Sequence, residues 1–113
     1  MDNTFASSYF QTPLDLGADI VVNSTTKYLA GHSDVAGGCL ITSNDPIYKQ
    51  CRFYQNAAGG VPPPFDCCLI QRGIKTLVIR MEKHQHNVFA VAEFLKANLN
   101  AEKVLFPGFT DHP

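Results

Sequence analysis

Lys27 is the residue of this chain with the most chemistry open to it. It follows Ser24, Thr25 and Thr26 and precedes Tyr28, between an apolar run, Ile20-Val21-Val22, and a loop, Gly31-His32-Ser33-Asp34. A lysine so placed is either a surface charge or a reactive amine. As an amine it can condense with an aldehyde, which requires the unprotonated form, so burial or a neighbouring positive charge must disfavour the ammonium. The hydroxyls beside it suit a second task. Ser24 and Thr26, together with backbone N–H groups at a strand end, can hold a phosphate. An amine next to a phosphate cradle matches a phosphorylated aldehyde, of which pyridoxal phosphate is the biological case. Residue type and spacing alone leave both readings of Lys27 open.

Other reactive side chains form weaker groupings. His32, Ser33 and Asp34 share one loop, too tightly spaced for a nucleophile and base drawn from across a fold, so hydrogen bonding within the loop is the expectation. His84 and His86, two apart on a helical pattern, point to different faces and do not share a metal. Arg52, Arg72, Lys75 and Arg80 read as solvated or ion-paired helix positions. Asp2 is either a solvated terminal carboxylate or a site residue at the end of a strand. Cys39, Cys51, Cys67 and Cys68 contain no CxxC pair and read as reduced, mostly buried thiols of a cytosolic protein.

The elements that must position these residues follow from pattern. A length of 113 residues is one domain or part of a larger one. With 45% hydrophobic and 17% charged residues the chain is neither disordered nor membrane-spanning, and a net charge of -1 with scattered basic residues argues against nucleic acid as a partner. No secretory signal opens it. Ala18 to Asn23 reads as a buried strand delivering Ser24 to Lys27 at its C-terminal end, and Gly37 to Thr42 as a second strand. Asn44-Asp45-Pro46 caps a helix whose inner face carries Ile47, Cys51, Tyr54 and Ala58, and Gly59-Gly60 stops it. Val61 to Pro64 is a stiff extended connector. A short helix runs from Phe65 to Gln71, ended or kinked by Gly73. Ile74 to Leu99 carries a continuous apolar stripe and reads as one helix of about 39 Å. Glu102 to Phe106 reads as a strand closed by Pro107-Gly108. Both ends read as interior to a longer polypeptide.

These residues resemble a known family. Asp2-Asn3-Thr4-Phe5, Ser24-Thr25-Thr26-Lys27-Tyr28 and Gly31-His32-Ser33-Asp34 are similar to motifs of the trans-sulfuration enzymes of cysteine and methionine metabolism, which use pyridoxal phosphate. Val61-Pro62-Pro63-Pro64-Phe65-Asp66-Cys67, Arg72-Gly73-Ile74-Lys75-Thr76-Leu77, Arg80-Met81-Glu82-Lys83-His84 and Val104-Leu105-Phe106-Pro107-Gly108 continue the likeness along almost the whole chain. It is strongest to the cystathionine γ-lyase branch, with γ-synthases and methionine γ-lyases as neighbours.

The resemblance implies an α/β fold, the aspartate-aminotransferase-like fold type I, a three-layer α/β/α sandwich with a smaller C-terminal domain. It implies that residues 1–73 are the C-terminal half of the cofactor-binding large domain, 74–99 an inter-domain helix, and 100–113 the beginning of the small domain. It also implies roles: Lys27 carries pyridoxal 5′-phosphate, Asp2 pairs with its ring nitrogen, and Ser24 and Thr26 hold its phosphate. The implied reaction is γ-elimination of cystathionine to cysteine, 2-oxobutanoate and ammonia in a cytoplasmic homo-oligomer, a tetramer built from dimers, with no nucleic-acid or membrane partner. The ring-stacking aromatic, the glycine-rich phosphate loop and the substrate-gripping arginine of the family have no counterpart here, so the 113-residue chain alone is expected not to turn over cystathionine. The competing expectation is a truncated, non-catalytic relative that binds other subunits.

Overall fold

The computed structural model describes residues 1–98 and 100–113. They form two compact units, Met1–Val78 and Ile79–Pro113.

The first unit is built on strand β1 (Val21–Ser24). Its β-branched start suits a half-buried strand, with Val21 and Asn23 buried and Val22 and Ser24 turned the other way. On one side β1 pairs antiparallel with β2 (Gly38–Ile41), in the register Val21↔Ile41 to Ser24↔Gly38. On the other side it meets the N-terminus in an isolated parallel bridge, Asp2↔Val22. Val22 N–H donates to the Met1 carbonyl and Asn3 N–H to the Val22 carbonyl, each at 2.8 Å. The strand is shorter than the expected 18–23: before Val21 the Asp19 carbonyl accepts from the Thr42 hydroxyl at 2.7 Å and the Ile20 carbonyl from the N-terminal amine at 2.8 Å, in place of ladder N–H groups. Asn3, almost wholly buried, donates through its amide to the Ser7 and Gln11 carbonyls and so anchors the one-turn helix α1 (Ser7–Phe10).

Helix α2 (Asp45–Ala58) begins and ends where its local chemistry requires. The Asn44 side chain accepts from Ile47 N–H at 3.1 Å, Pro46 occupies the first turn, and Gly59 closes the helix in the left-handed region at φ 70°. Ile47 and Cys51 are half-buried, but Tyr54 and Ala58 are exposed and Gln55 takes the inward place. Asn44→Ala is expected to cost about 1 kcal/mol of stability, read as a lowered urea midpoint with unchanged slope.

Helix α3 (Pro64–Ile74) follows the extended prolines and runs through Gly73 rather than ending there. Thr76 then closes the helix, since both its N–H and its hydroxyl donate to the Gly73 carbonyl at 3.2 Å. That i→i+3 closure divides the expected 74–99 helix in two, and α4 spans Leu77–Lys96. Leu99 lies outside the described residues. Of the four cysteines, all free, Cys68 is exposed and the other three are only half-buried, less than the sequence suggested.

In the second unit the expected strand 102–106 is absent among the described residues: no neighbouring segment offers it a ladder. Aromatic packing takes its place. Phe106 stands edge-on to Phe89 at 5.0 Å and to Phe109 at 5.2 Å, and Lys96 lies 4.6 Å from the Phe109 ring centre while pairing with Asp111 at 2.6 Å. No helix among the described residues is long and apolar enough to cross a membrane.

Candidate functional site

Strand β1 ends at Ser24 and the chain turns at once into a π-helical turn, Thr25–Leu29, interrupted at Lys27 where φ is −90° and ψ −121°. Thr25 is the buried foot of this turn and Lys27 its exposed member. The turn is closed by Ala30 N–H donating to the Thr25 carbonyl at 3.0 Å and Gly31 N–H to the Lys27 carbonyl at 2.8 Å. Gly31, at φ 75°, lets the chain reverse into the His32–Asp34 loop. Wide i→i+5 turns of this kind are rare and concentrate at functional sites.

The parallel bridge sets Asp2 beside Val22 of the same strand. Asp2 lies opposite Val22, so it and Ser24 are on adjacent strands two steps apart, roughly 8 Å between Cα atoms at ~4.8 Å strand spacing and ~3.3 Å rise. Thr4 joins the two. Its hydroxyl accepts from Ser24 N–H at 2.8 Å, while both its side chain and its N–H hydrogen-bond to the Asp2 carboxylate, the N–H at 2.8 Å to Oδ1. These bonds, the side-chain one first, hold the Asp2 carboxyl below the usual aspartate range although the residue is exposed. Sequence reading missed Thr4, although an aspartate followed two residues later by a donor is the signature of an Asx turn.

The two hydroxyls differ. Thr26 Oγ1 accepts from Gly37 N–H at 2.9 Å and donates to the Gly37 carbonyl at 3.3 Å, which pins the lysine turn to the start of β2. Ser24's hydroxyl has no hydrogen-bond partner among the described residues. Ser24 is therefore the hydroxyl ready to donate to a ligand, and Thr26 serves the turn first. His32 turns back on its own loop, with Nδ1 2.6 Å from the Ala30 carbonyl, and Asp34 pairs with Arg72 at 3.4 Å. The local bond expected of the loop is seen at His32, whereas Asp34 reaches out of the loop to helix α3. Among the described residues no group of three histidine, cysteine or acidic side chains could hold a metal.

A large cavity of about 1010 Å³ also opens in the first unit, lined by Val22, Thr25, Cys39, Cys51 and Ile70 among others. Asp2, Ser24, Thr26 and Lys27 do not line it. Its walls are mostly apolar; Ser24 closes β1, Lys27 lies in the turn that follows, and Asp2 is bridged to Val22.

The donor set at that end fits pyridoxal phosphate: an amine for its aldehyde, an ionised carboxylate for its ring nitrogen and a hydroxyl for its phosphate. The comparisons agree with the chemistry. The profile of the Cys/Met metabolism PLP-dependent enzymes matches residues 1–113. Over 113 residues the chain is 57% identical to a probable cystathionine gamma-synthase of Herpetosiphon aurantiacus, covering 100% of this chain and 35% of that protein. It is 56% identical to a cystathionine gamma-lyase of Dictyostelium discoideum, covering 100% and 29%. The crystal structure of a cystathionine gamma synthase from Xanthomonas oryzae pv. oryzae in complex with cystathionine matches with a TM-score of 0.96 at 46% identity, over 99% of this chain and 29% of that one. The chain thus spans about a third of the length of the curated relatives it matches. Its α/β elements are a portion of the aspartate-aminotransferase-like fold type I architecture. A full-length profile match, identity above half and near-superposable backbones lead to one conclusion: this chain belongs to the Cys/Met metabolism PLP-dependent enzyme family.

Proposed function

We propose that this chain is the lysine-bearing part of a pyridoxal-phosphate-dependent carbon–sulfur lyase, acting on cystathionine at its γ-carbon to give cysteine, 2-oxobutanoate and ammonia with uptake of one water. The observation that supports the reading is that Lys27 sits in the π-helical turn that directly follows Ser24, on the strand whose Val22 is bridged to Asp2. Relatives named cystathionine gamma-synthase and cystathionine gamma-lyase, at 57% and 56% identity, support cystathionine as the compound handled, the product of the one activity and the substrate of the other. On this reading residues 1–73 belong to the large domain, α4 leads out of it, and residues 100–113 begin the smaller one.

Each residue has a task that its setting suits. Lys27 is the amine that would hold the aldehyde carbon, and as a free amine it would move a proton from the substrate Cα. When bound, pyridoxal phosphate supplies the electron sink for the carbanion so formed. Asp2, whose ionised form the Thr4 hydrogen bonds favour further, would pair with the pyridine nitrogen and keep it protonated. The Ser24 hydroxyl would donate to the phosphate, and Thr26 would do so only in exchange for its bond to the Gly37 carbonyl.

A titration of the 113-residue chain with pyridoxal 5′-phosphate tests the reading. The expected result is a saturable absorbance change, weakened several-fold in Ser24→Ala and competed by inorganic phosphate. An unsaturable change, equal in wild type and Ser24→Ala and indifferent to phosphate, would overturn it.

A further inference from the structure

We infer that Gly73, 46 positions from Lys27 in sequence, is a positioning residue for the lysine, acting through the Ala30 carbonyl. The inference rests on the reactive reading of Lys27 given above. Gly73 is buried inside α3, and Ala30, at the far end of the lysine turn, is 1% exposed. The two are in direct apposition. A Cβ on residue 73 would lie 2.1 Å from the Ala30 carbonyl oxygen and within 2.9 Å of its carbonyl and α carbons. Those are backbone atoms, which cannot swing aside as a side chain does.

Ala30 is also the residue that closes the turn. Its N–H donates to the Thr25 carbonyl at 3.0 Å across Lys27, and its carbonyl lies 2.6 Å from His32 Nδ1. Any displacement of Ala30 is therefore passed to the backbone that aims Lys27. Ordinary contact begins at 3.4 Å, so a methyl at 73 forces α3 and Ala30 apart by about 1.3 Å. One residue earlier, Arg72 reaches Asp34 in the loop beyond the turn at 3.4 Å. Both members of that pair are solvent-accessible, so it adds a weak tether to the tight backbone contact. Helix α3 thus grips the lysine turn at two points beyond the lysine, and the missing side chain at Gly73 is what admits the closer one.

The test is borohydride trapping with pyridoxal 5′-phosphate, read by peptide mass spectrometry as labelling of Lys27 relative to the exposed Lys49. Gly73→Ala is expected to lower that ratio by at least about ten-fold, as misplacement of a reacting group by ~1 Å does. Gly60→Ala, whose Cβ would meet nothing closer than 3.9 Å, serves as the matched control and is expected to leave the ratio unchanged. Amide hydrogen exchange at Ala30 and Gly31 is expected to accelerate in Gly73→Ala alone. Should Gly73→Ala fail to fold by circular dichroism, Arg72→Ala decides: a two- to five-fold fall, restored by Arg72→Lys, is the expected result. A folded Gly73→Ala with wild-type labelling, or an unaltered Arg72→Ala where the alanine at 73 does not fold, overturns the inference and leaves Lys27's reactivity standing. Wild-type chain without preferential Lys27 labelling refutes the reactive reading and the inference with it.

Discussion

Lys27→Ala is expected to abolish the saturable absorbance change on adding pyridoxal 5′-phosphate, while leaving circular dichroism and thermal unfolding within about 0.5 kcal/mol of wild type. The small effect on stability follows from exposure. Lys27 projects from the turn, and the bonds that close the turn are made by backbone groups that alanine keeps. The loss of binding is complete because no other amine has the same company. Of the six lysines, Lys27 alone follows a strand end that also carries a hydroxyl and faces an ionised carboxylate across a parallel bridge. Lys27→Arg is expected to behave as alanine does: guanidinium keeps the charge but is not a nucleophile at neutral pH. A charge-only role would instead let arginine restore binding.

The second large effect is expected at Thr4. Thr4→Val keeps the shape and β-branching but removes the hydroxyl, so Ser24 N–H loses its acceptor at a part-buried position. An unsatisfied donor of that kind costs about 1–3 kcal/mol, to be measured by urea unfolding. The same change strips the Asp2 carboxyl of its side-chain hydrogen bond. That bond favours the ionised form, so its contribution to the folded state is present above the ordinary aspartate range and is lost as acid protonates the carboxylate. In Thr4→Val the Asp2 titration followed by NMR therefore moves up, towards the ordinary value, and less of the stability loss between neutral and acid pH remains to be seen. Thr4→Ser should retain both bonds and most of the stability. Equal stability and an unmoved Asp2 titration in the valine variant would contradict the role given to Thr4.

What the sequence made legible was local. A short β-branched run, an Asn-Asp-Pro start and a Gly-Gly stop each carry their own geometry: α2 starts and stops where those signals put it, and β1 forms at the β-branched run, though shorter than 18–23 and ending one residue further along. The lysine turn was legible as a position after a strand. Its π-helical form was not, since that depends on Thr26 bonding to Gly37 and on Ala30 reaching back to Thr25. The apolar stripe of residues 74–99 crosses the break at Thr76 without a change of period, so periodicity could not reveal that a hydroxyl and an N–H there both choose the Gly73 carbonyl. Val104 to Phe106 has strand-like composition, but strands exist through partners, and here aromatic contacts decide the local conformation. Gly73 read as ending or kinking the helix, which stops one residue later at Ile74; its apposition to Ala30, 43 positions away, has no local signal.

The map of borohydride-fixed pyridoxal adducts on the wild-type 113-residue chain, resolved to individual amines, bears most directly on the account. It predicts that at limiting cofactor the label collects on Lys27, ahead of the other five lysines and the N-terminal amine, and that inorganic phosphate selectively depletes this one site. Label distributed according to exposure alone, with Lys27 no richer than Lys49 or Lys103 and no site sensitive to phosphate, would contradict it.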